Sequence, residues 1–330
     1  MIIAFAGLRH PHIFVLYDMA KQNKLYHICG AFEMNAQARV QAENRGVVCN
    51  YDSYENLLAD ETVEAVALGG CYGERGEMAI AALKAGKHVI ADKPLCTSLE
   101  ELDTIESLAK EKGLLVSCMF TMRFEPQVNA VKKLIESGTL GEINNVYFGG
   151  QHPLQYGRRP AWYFEKGKHG GVFNDIAIHG IDVLSFALGL EVQQIEAARC
   201  WNKYAAAKPQ FKDSAQGMLT AKNGAGILLD VSYAIPDGIE FLHPQYWQFQ
   251  VWGTNGSVSF SLNEKDAYYF VAGDAVPHVL MAQEPPCDYL TDFYHLAQGE
   301  PAVLSPREVF EATRKALELQ RFADETEAKV

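Results

Sequence analysis

The chain has 330 residues, 48% hydrophobic and 21% charged, an ordinary globular mix with length enough for two domains. A formal net charge of −12 excludes a general nucleic-acid binder, which needs basic surface, while leaving room for a small anion in a local basic pocket. Seven scattered cysteines without a CxxC, a start with no leader-like pattern and no apolar run of membrane-spanning length give the expectation of free thiols in a soluble cytoplasmic protein with no membrane partner.

The first third alternates two periodicities. "MIIAFAG" predicts a strand, and the apolar positions Ile13, Phe14, Leu16, Tyr17 and Ala20 predict a helix that Pro11 begins. "LYHICGAFE", "VEAVALGG", "KHVIAD" and "LLVSCMF" predict further strands, with helices in "NAQARVQAENRG", "EMAIAALKAG" and "EELDTIESLAKEKG" between them. Strands alternating with helices, apolar on both faces, mean βαβ crossovers and a doubly wound parallel sheet. After about residue 121 the texture changes. Helices are predicted in "EPQVNAVKKLIESG", "NDIAIHGIDVLSFALG" and "PREVFEATRKALELQRFADE", and β runs cluster between the second and third, with "KNGAG" and "GTNGS" as hairpin turns. The expectation is a Rossmann domain over 1–121 and, over 122–330, an α+β domain with a large, mostly antiparallel open sheet whose uncovered face suits subunit pairing.

Three constellations carry chemistry. At the turn "AGLRHPHIF" a dinucleotide loop would have glycines at 7, 9 and 12; here they are Gly7, Arg9 and His12. A helix N-terminus attracts pyrophosphate, and Arg9 can add charge-assisted bonds of its own, or stand as a solvated loop residue. Glu33, at the end of the second predicted strand, is placed to take ribose hydroxyls and to repel a 2′-phosphate, which favours NAD over NADP; an ordinary strand-end carboxylate is the alternative. In "AGKHVIADKPL", Lys93 stands at a strand's carboxyl end, where an ammonium can stabilise a developing alkoxide, or lie along the surface. In "HGGVFNDIAIHGIDVL", Asp175, His179 and Asp182 are spaced i, i+4, i+7 on one helix face. A histidine flanked by carboxylates suits a general base; a structural charge cluster is the next reading and a metal site the third, with no fourth ligand nearby.

Together, "AG", the acid after the second strand, "AGKHVIADKP", "MRFEP", "GGVFNDIAIHGID" and "VWGTNGSVSF" resemble the glucose-fructose oxidoreductase / inositol dehydrogenase (Gfo/Idh/MocA) family along nearly the whole chain. The family's E-K-P is Asp92, Lys93, Pro94, and its G-G-x-x-x-D-x-x-x-H-x-x-D falls on Gly170, Gly171, Asp175, His179 and Asp182. The resemblance implies NAD(P)-dependent oxidation or reduction at a secondary alcohol of a sugar, cyclitol or related polyol. It implies Lys93 and His179 as the catalytic pair with Asp175 beside them, a cis Lys93–Pro94 bond, and a homodimer or homotetramer built on the C-terminal sheet. Two departures cluster. Arg9 and His12 replace loop glycines, and where the family reads T-P-x-x-x-H this chain has Gly70, Cys71, Tyr72, Gly73, Glu74 and Arg75. In the usual 3-2-1-4-5-6 strand order Arg9 and Arg75 flank one crevice, so both are expected on the cofactor phosphates. The candidate cofactor contacts are Gly7, Arg9, His10, Glu33, Gly70, Arg75 and Lys93. "QHPLQYGRRPAWYF" is expected to overhang the substrate, with Tyr156, Arg158, Arg159 and Trp162 as contacts; Arg123 is a further candidate or an ion-pair residue, and His152 and His169 are read as loop histidines. Two other classes keep the fold: a non-catalytic ligand sensor, and redox-assisted elimination or hydrolysis of a glycoside.

Overall fold

The computed structural model describes residues 1–264 and 266–327. Contacts divide the chain into two compact units, each with its own sheet.

The first unit comprises Met1–Met119, Pro160–Gly170 and Cys287–Arg314. It runs β1 (Ile2–Leu8), α1 (His12–Gln22), β2 (His27–Phe32), α2 (Ala36–Glu43), α3 (Tyr54–Ala59), β3 (Ala65–Gly69), α4 (Tyr72–Lys84), β4 (His88–Ala91), α5 (Leu99–Lys112) and β5 (Val116–Cys118). The strands pair in parallel in the order β2-β1-β3-β4-β5. This is the expected Rossmann plan, with the five strands read from the sequence paired in one sheet among the described residues. The expected adjacency of β1 and the "VEAVALGG" strand holds, Ile3 lying against Ala65 and Ala6 against Leu68. β1 and β3 are buried almost throughout, as central strands covered on both faces must be. Each such Val, Ile or Leu contributes about 1.5–3 kcal/mol through burial. Local signals set the ends: Ser98 and Glu101 form a capping box at the start of α5, and Gly113 closes it in the left-handed region.

The second unit comprises Phe120–Arg159, Gly171–Pro286 and Lys315–Val330. α6 (Pro126–Glu136) precedes β6 (Ile143–Pro153); a π-helical turn at Phe173–Ala177 leads into α7 (Ile178–Phe186). Then follow β7 (Val192–Trp201), β8 (Ser214–Ala221), β9 (Gly226–Ile235), β10 (Gln248–Gly253), β11 (Gly256–Ser261), β12 (Ala267–Val271) and β13 (His278–Leu280). Their order is β13-β12-β11-β10-β6-β9-β8-β7, with β6–β9 parallel and the other pairs antiparallel. Both expected hairpins form, β8–β9 and β10–β11. α8 (Tyr289–Ala297), in the first unit, and α9 (Pro306–Glu327), which begins in the first unit and ends in the second, are the remaining α-helices among the described residues, α9 being the closing amphipathic helix. The single cut read between 121 and 122 differs from this division, because 160–170 and 287–314 cluster with the N-terminal sheet. No helix of the described residues is long and apolar enough to cross a membrane.

Candidate active site

In the first unit, the carboxyl ends of β1 and β2 open on a cavity of about 620 Å³ whose lining includes Gly7, Arg9, Glu33, Met34, Tyr54 and Glu74. Gly7 has φ +72°, and a Cβ there would lie 2.6 Å from the Gly70 nitrogen and 2.7 Å from its Cα. Only a residue without a side chain lets the ends of β1 and β3 meet so closely. Gly70, expected at the cofactor, is thus the backbone against which Gly7 packs. A Cβ on Gly69 would fall 2.4 Å from Cβ of Ile13. The glycine that seats the first helix on the sheet therefore stands on β3, and His12, where the usual loop has its third glycine, points outward with its side chain about half exposed. Arg9 and His10 donate their backbone N–H groups to the Gly69 carbonyl at 3.2 and 3.0 Å. The buried Glu33 carboxylate accepts from the backbone N–H of Leu8 and, at 2.7 Å, from that of Asn35, which orients it on the cavity wall.

Arg75 does not fit a phosphate contact. Its side chain is fully buried, and the guanidinium donates from Nε to the Gly70 carbonyl (2.9 Å), from one terminal nitrogen to the carbonyls of Asp92 (2.8 Å) and Pro94 (3.1 Å), and from the other to Asp92 Oδ2 (2.8 Å). The same Asp92 carboxylate takes His10 Nδ1 at 2.5 Å and His12 Nδ1 at 3.2 Å. His10 Nε2 lies 3.0 Å from the Tyr72 hydroxyl and 3.1 Å from that of Tyr163, and these hydroxyls are 2.6 Å apart. His10 is therefore spent on this buried network, not on a cofactor. His10, His12 and Asp92 bring three potential metal-ligand atoms within 4.8 Å of one another. With the permanent Arg75 cation against the carboxylate, the set is an ion-pair network and a poor seat for a second cation.

Burial alone would raise the Asp92 carboxyl; His10 and Arg75 against it hold it well below the ordinary carboxylate range. Burial pulls the His10 imidazole down to about 4, against the opposite pull of Asp92. An unfolded histidine titrates near 6.5, so between about pH 6.5 and 4 the unfolded chain binds a proton that the folded chain does not. Stability is expected to be complete above that window and to fall as pH drops through it, by up to about 3 kcal/mol. Urea unfolding at a series of pH values checks this, and His10→Gln should flatten the slope; equal slopes in both proteins would refute the assignment.

Lys93 follows β4, is buried, and its peptide bond to Pro94 is cis. Trp162 falls in the first unit, buried among the rings of Tyr163, Tyr72 and His10 at 4.4, 5.1 and 6.4 Å. With only 2% of it exposed, Trp162 does not offer the open aromatic platform expected for a sugar. His169 packs on the same cluster, 5.2 Å from Tyr163.

In the second unit, Asp175 sits in the π-helical turn and His179 in the first turn of α7, both buried. The extra residue of a π turn alters the i, i+4, i+7 stacking read from the sequence, and such turns recur at functional sites. Tyr233 donates its hydroxyl to Asp175 Oδ2. Arg159 lies over the Tyr233 ring at 5.4 Å and donates to the carbonyls of Leu154 and Pro153 at 3.0 Å each. His179 packs edge-on to Trp247 at 5.8 Å and to Phe120 at 6.4 Å. His152 packs on Tyr246 at 4.5 Å. Tyr156 is about half exposed and anchored through its backbone N–H to Asp237, while Arg158 lines a separate cavity of about 500 Å³. Arg123 departs from the expected substrate contact: it is buried and grips Asp182 with Nε at 2.9 Å to each carboxylate oxygen and a terminal nitrogen at 2.7 Å, so it is an internal ion-pair residue. Asp182 is thereby structural.

Residues 2–120 match the family model described as the oxidoreductase family with NAD-binding Rossmann fold, and residues 128–259 match that of the GFO/IDH/MocA C-terminal domain. The chain belongs to the Gfo/Idh/MocA family. Among curated relatives, the levoglucosan dehydrogenase of Pseudarthrobacter phenanthrenivorans is 27% identical over 71% of this chain, and the NAD⁺-named scyllo-inositol 2-dehydrogenase of Bacillus subtilis is 28% identical over 70%. The chain spans 65% of the length of each. A solved levoglucosan dehydrogenase in complex with NADH and L-sorbose has the same fold, with a TM-score of 0.82 at 19% identity over 98% of this chain and 97% of that one.

Against the Gfo/Idh/MocA pattern, both departures now have a physical reading. Gly69 replaces the packing role of the loop's third glycine, and Arg75, where the family has histidine, is an internal strut. Sequence reading gave no role to Asp92, Tyr72 or Tyr163. It also missed Tyr233, Tyr246 and Trp247, strand and turn residues that meet Asp175, His152 and His179 only through the fold. One signal was available: Tyr72, Arg75, Gly76 and Ala79 form the buried stripe of α4, which places Arg75 on the inward face.

Proposed function

We propose that this chain is an NAD-dependent oxidoreductase acting on a secondary alcohol of a sugar, cyclitol or related polyol. The observation that carries the nucleotide half is the cavity at the carboxyl ends of β1 and β2, which Arg9 and Glu33 share. That is where doubly wound sheets bind ligands, with a carboxylate set for ribose hydroxyls and a guanidinium for phosphate. The close approach of Gly7 and Gly70 supports the fit, since it keeps the floor of the turn free of side chains. Glu33, Asp52, Glu55, Glu74 and Glu77 outnumber Arg9 and Arg39 on the cavity wall, a charge balance that favours NAD over a 2′-phosphorylated cofactor. Bound there, NAD⁺ would supply a two-electron hydride acceptor. The chain's own residues then carry the proton: a ring nitrogen of His179 takes it from the substrate hydroxyl, and Lys93 Nζ stabilises the developing alkoxide. Asp175, held by Tyr233, supplies a fixed negative charge for imidazolium and substrate hydroxyls. Exposed Met218, Leu228, Trp252, Tyr268 and Phe270 on the large sheet suit pairing with a second copy.

Thermal shift with NAD⁺ and NADP⁺ added separately tests the cofactor reading. NAD⁺ should raise the melting temperature and NADP⁺ should not. Arg9→Ala should weaken NADH binding about tenfold or more, the worth of a charge-assisted hydrogen bond, and Glu33→Gln should narrow the preference for NAD. No response to either nucleotide would favour a ligand sensor on the same fold.

A further inference from the structure

The four hydrogen bonds of Arg75 have a common object. One terminal nitrogen spans the carbonyls of Asp92 and Pro94, the residues on either side of Lys93. The other binds the Asp92 side chain, so the residue before Lys93 is gripped at main chain and side chain together. Nε holds the Gly70 carbonyl, and Gly70 is the residue against which Gly7 of the nucleotide cavity packs. The Tyr72 ring lies 4.6 Å from the guanidinium and its hydroxyl runs through His10 back to Asp92. We infer that Arg75 is a positioning residue for Lys93, a planar fork that fixes the backbone carrying the lysine and ties it to the floor of the nucleotide cavity. A core ion pair would need only the Asp92 carboxylate. Two of the four bonds go instead to carbonyls that bracket one residue, and a lysine at position 75 could not reach all these acceptors from a single nitrogen.

The functional weight of this inference rests on the catalytic reading of Lys93, so the test separates the two. Wild type, Arg75→Gln and Arg75→Lys are briefly acetylated with acetic anhydride, and modification of Lys93 is read by peptide mass spectrometry against the exposed Lys21 and Lys110. Lys93 is 6% exposed. Its labelling rate should rise about tenfold or more in both variants, as lost hydrogen bonds let the segment open locally, while the reference lysines stay unchanged. If Arg75→Gln does not fold, as judged by circular dichroism, Arg75→Lys alone decides, because it keeps the charge beside Asp92 and loses the bracketing bonds. A Lys93 rate within about twofold of wild type in a folded variant, far below the change that local opening would produce, overturns the inference. NADH formation from levoglucosan and scyllo-inositol gives the second arm: misplacing Lys93 should lower kcat about 100-fold with KM and NADH affinity little changed. Undiminished turnover in Lys93→Met would end the catalytic reading and leave the acetylation result to decide the positioning one. With no turnover of either polyol in wild type, acetylation again decides.

Discussion

His179→Ala and Lys93→Met are each expected to lower polyol turnover by about 10²–10⁴-fold, with NADH affinity within about threefold of wild type. The expectation follows from where the groups stand. His179 is buried in the first turn of α7, edge-on to Trp247 and Phe120, a setting that orients the ring. A ring so held can take a proton in one direction without losing rotational freedom at the moment of reaction. Lys93 is held at the end of β4 by its neighbours' bonds to Arg75, so in the proposed role its ammonium would meet a developing alkoxide with little reorganisation. Neither residue lines the cavity that Arg9 and Glu33 share, which is why nucleotide affinity should survive. Stopped-flow hydride transfer and NADH fluorescence titration measure the two quantities separately. Equal loss of both would move Lys93 and His179 from chemistry to cofactor binding; undiminished transfer in either variant would remove that residue from the mechanism.

Much of the fold was legible because its causes are local. The alternation of short apolar runs with amphipathic stretches set the parallel sheet, and the turn glycines set the two hairpins. Gly7 was legible as the tight turn of a nucleotide loop, and its positive φ agrees. What was not legible depends on partners far along the chain. Arg75 looked like a phosphate ligand because it follows a strand end beside β1; its direction is set by the inward stripe of α4 and by Asp92, which is 17 positions away. Trp162 looked like a substrate contact because the residues before it belong to the second unit; its short segment instead packs with Tyr72 and His10. The π turn at Asp175 has no sequence signal of its own, since residues 172–184 are buried on every side and leave no one-sided apolar stripe whose register could show the extra residue.

Arg123→Met is expected to destabilise the protein by about 3–5 kcal/mol, the usual consequence of leaving one partner of a buried ion pair alone. Arg123 and Asp182 lie 59 positions apart, both almost fully buried, and three contacts of 2.7–2.9 Å make the guanidinium–carboxylate pair bidentate. The ring of Phe186 covers the guanidinium at 4.7 Å, which keeps water from replacing it. Removing the cation takes this opposite charge away from the Asp182 carboxylate, buried on the helix that also carries His179. Pairing the change with Asp182→Leu should restore most of the loss, because the desolvation penalty of both charges disappears together. A substrate contact would behave differently: KM would rise, stability would hold, and the second substitution would rescue nothing. Urea denaturation of wild type, both single variants and the double variant completes the cycle. A stable Arg123→Met with raised KM would return Arg123 to the substrate side.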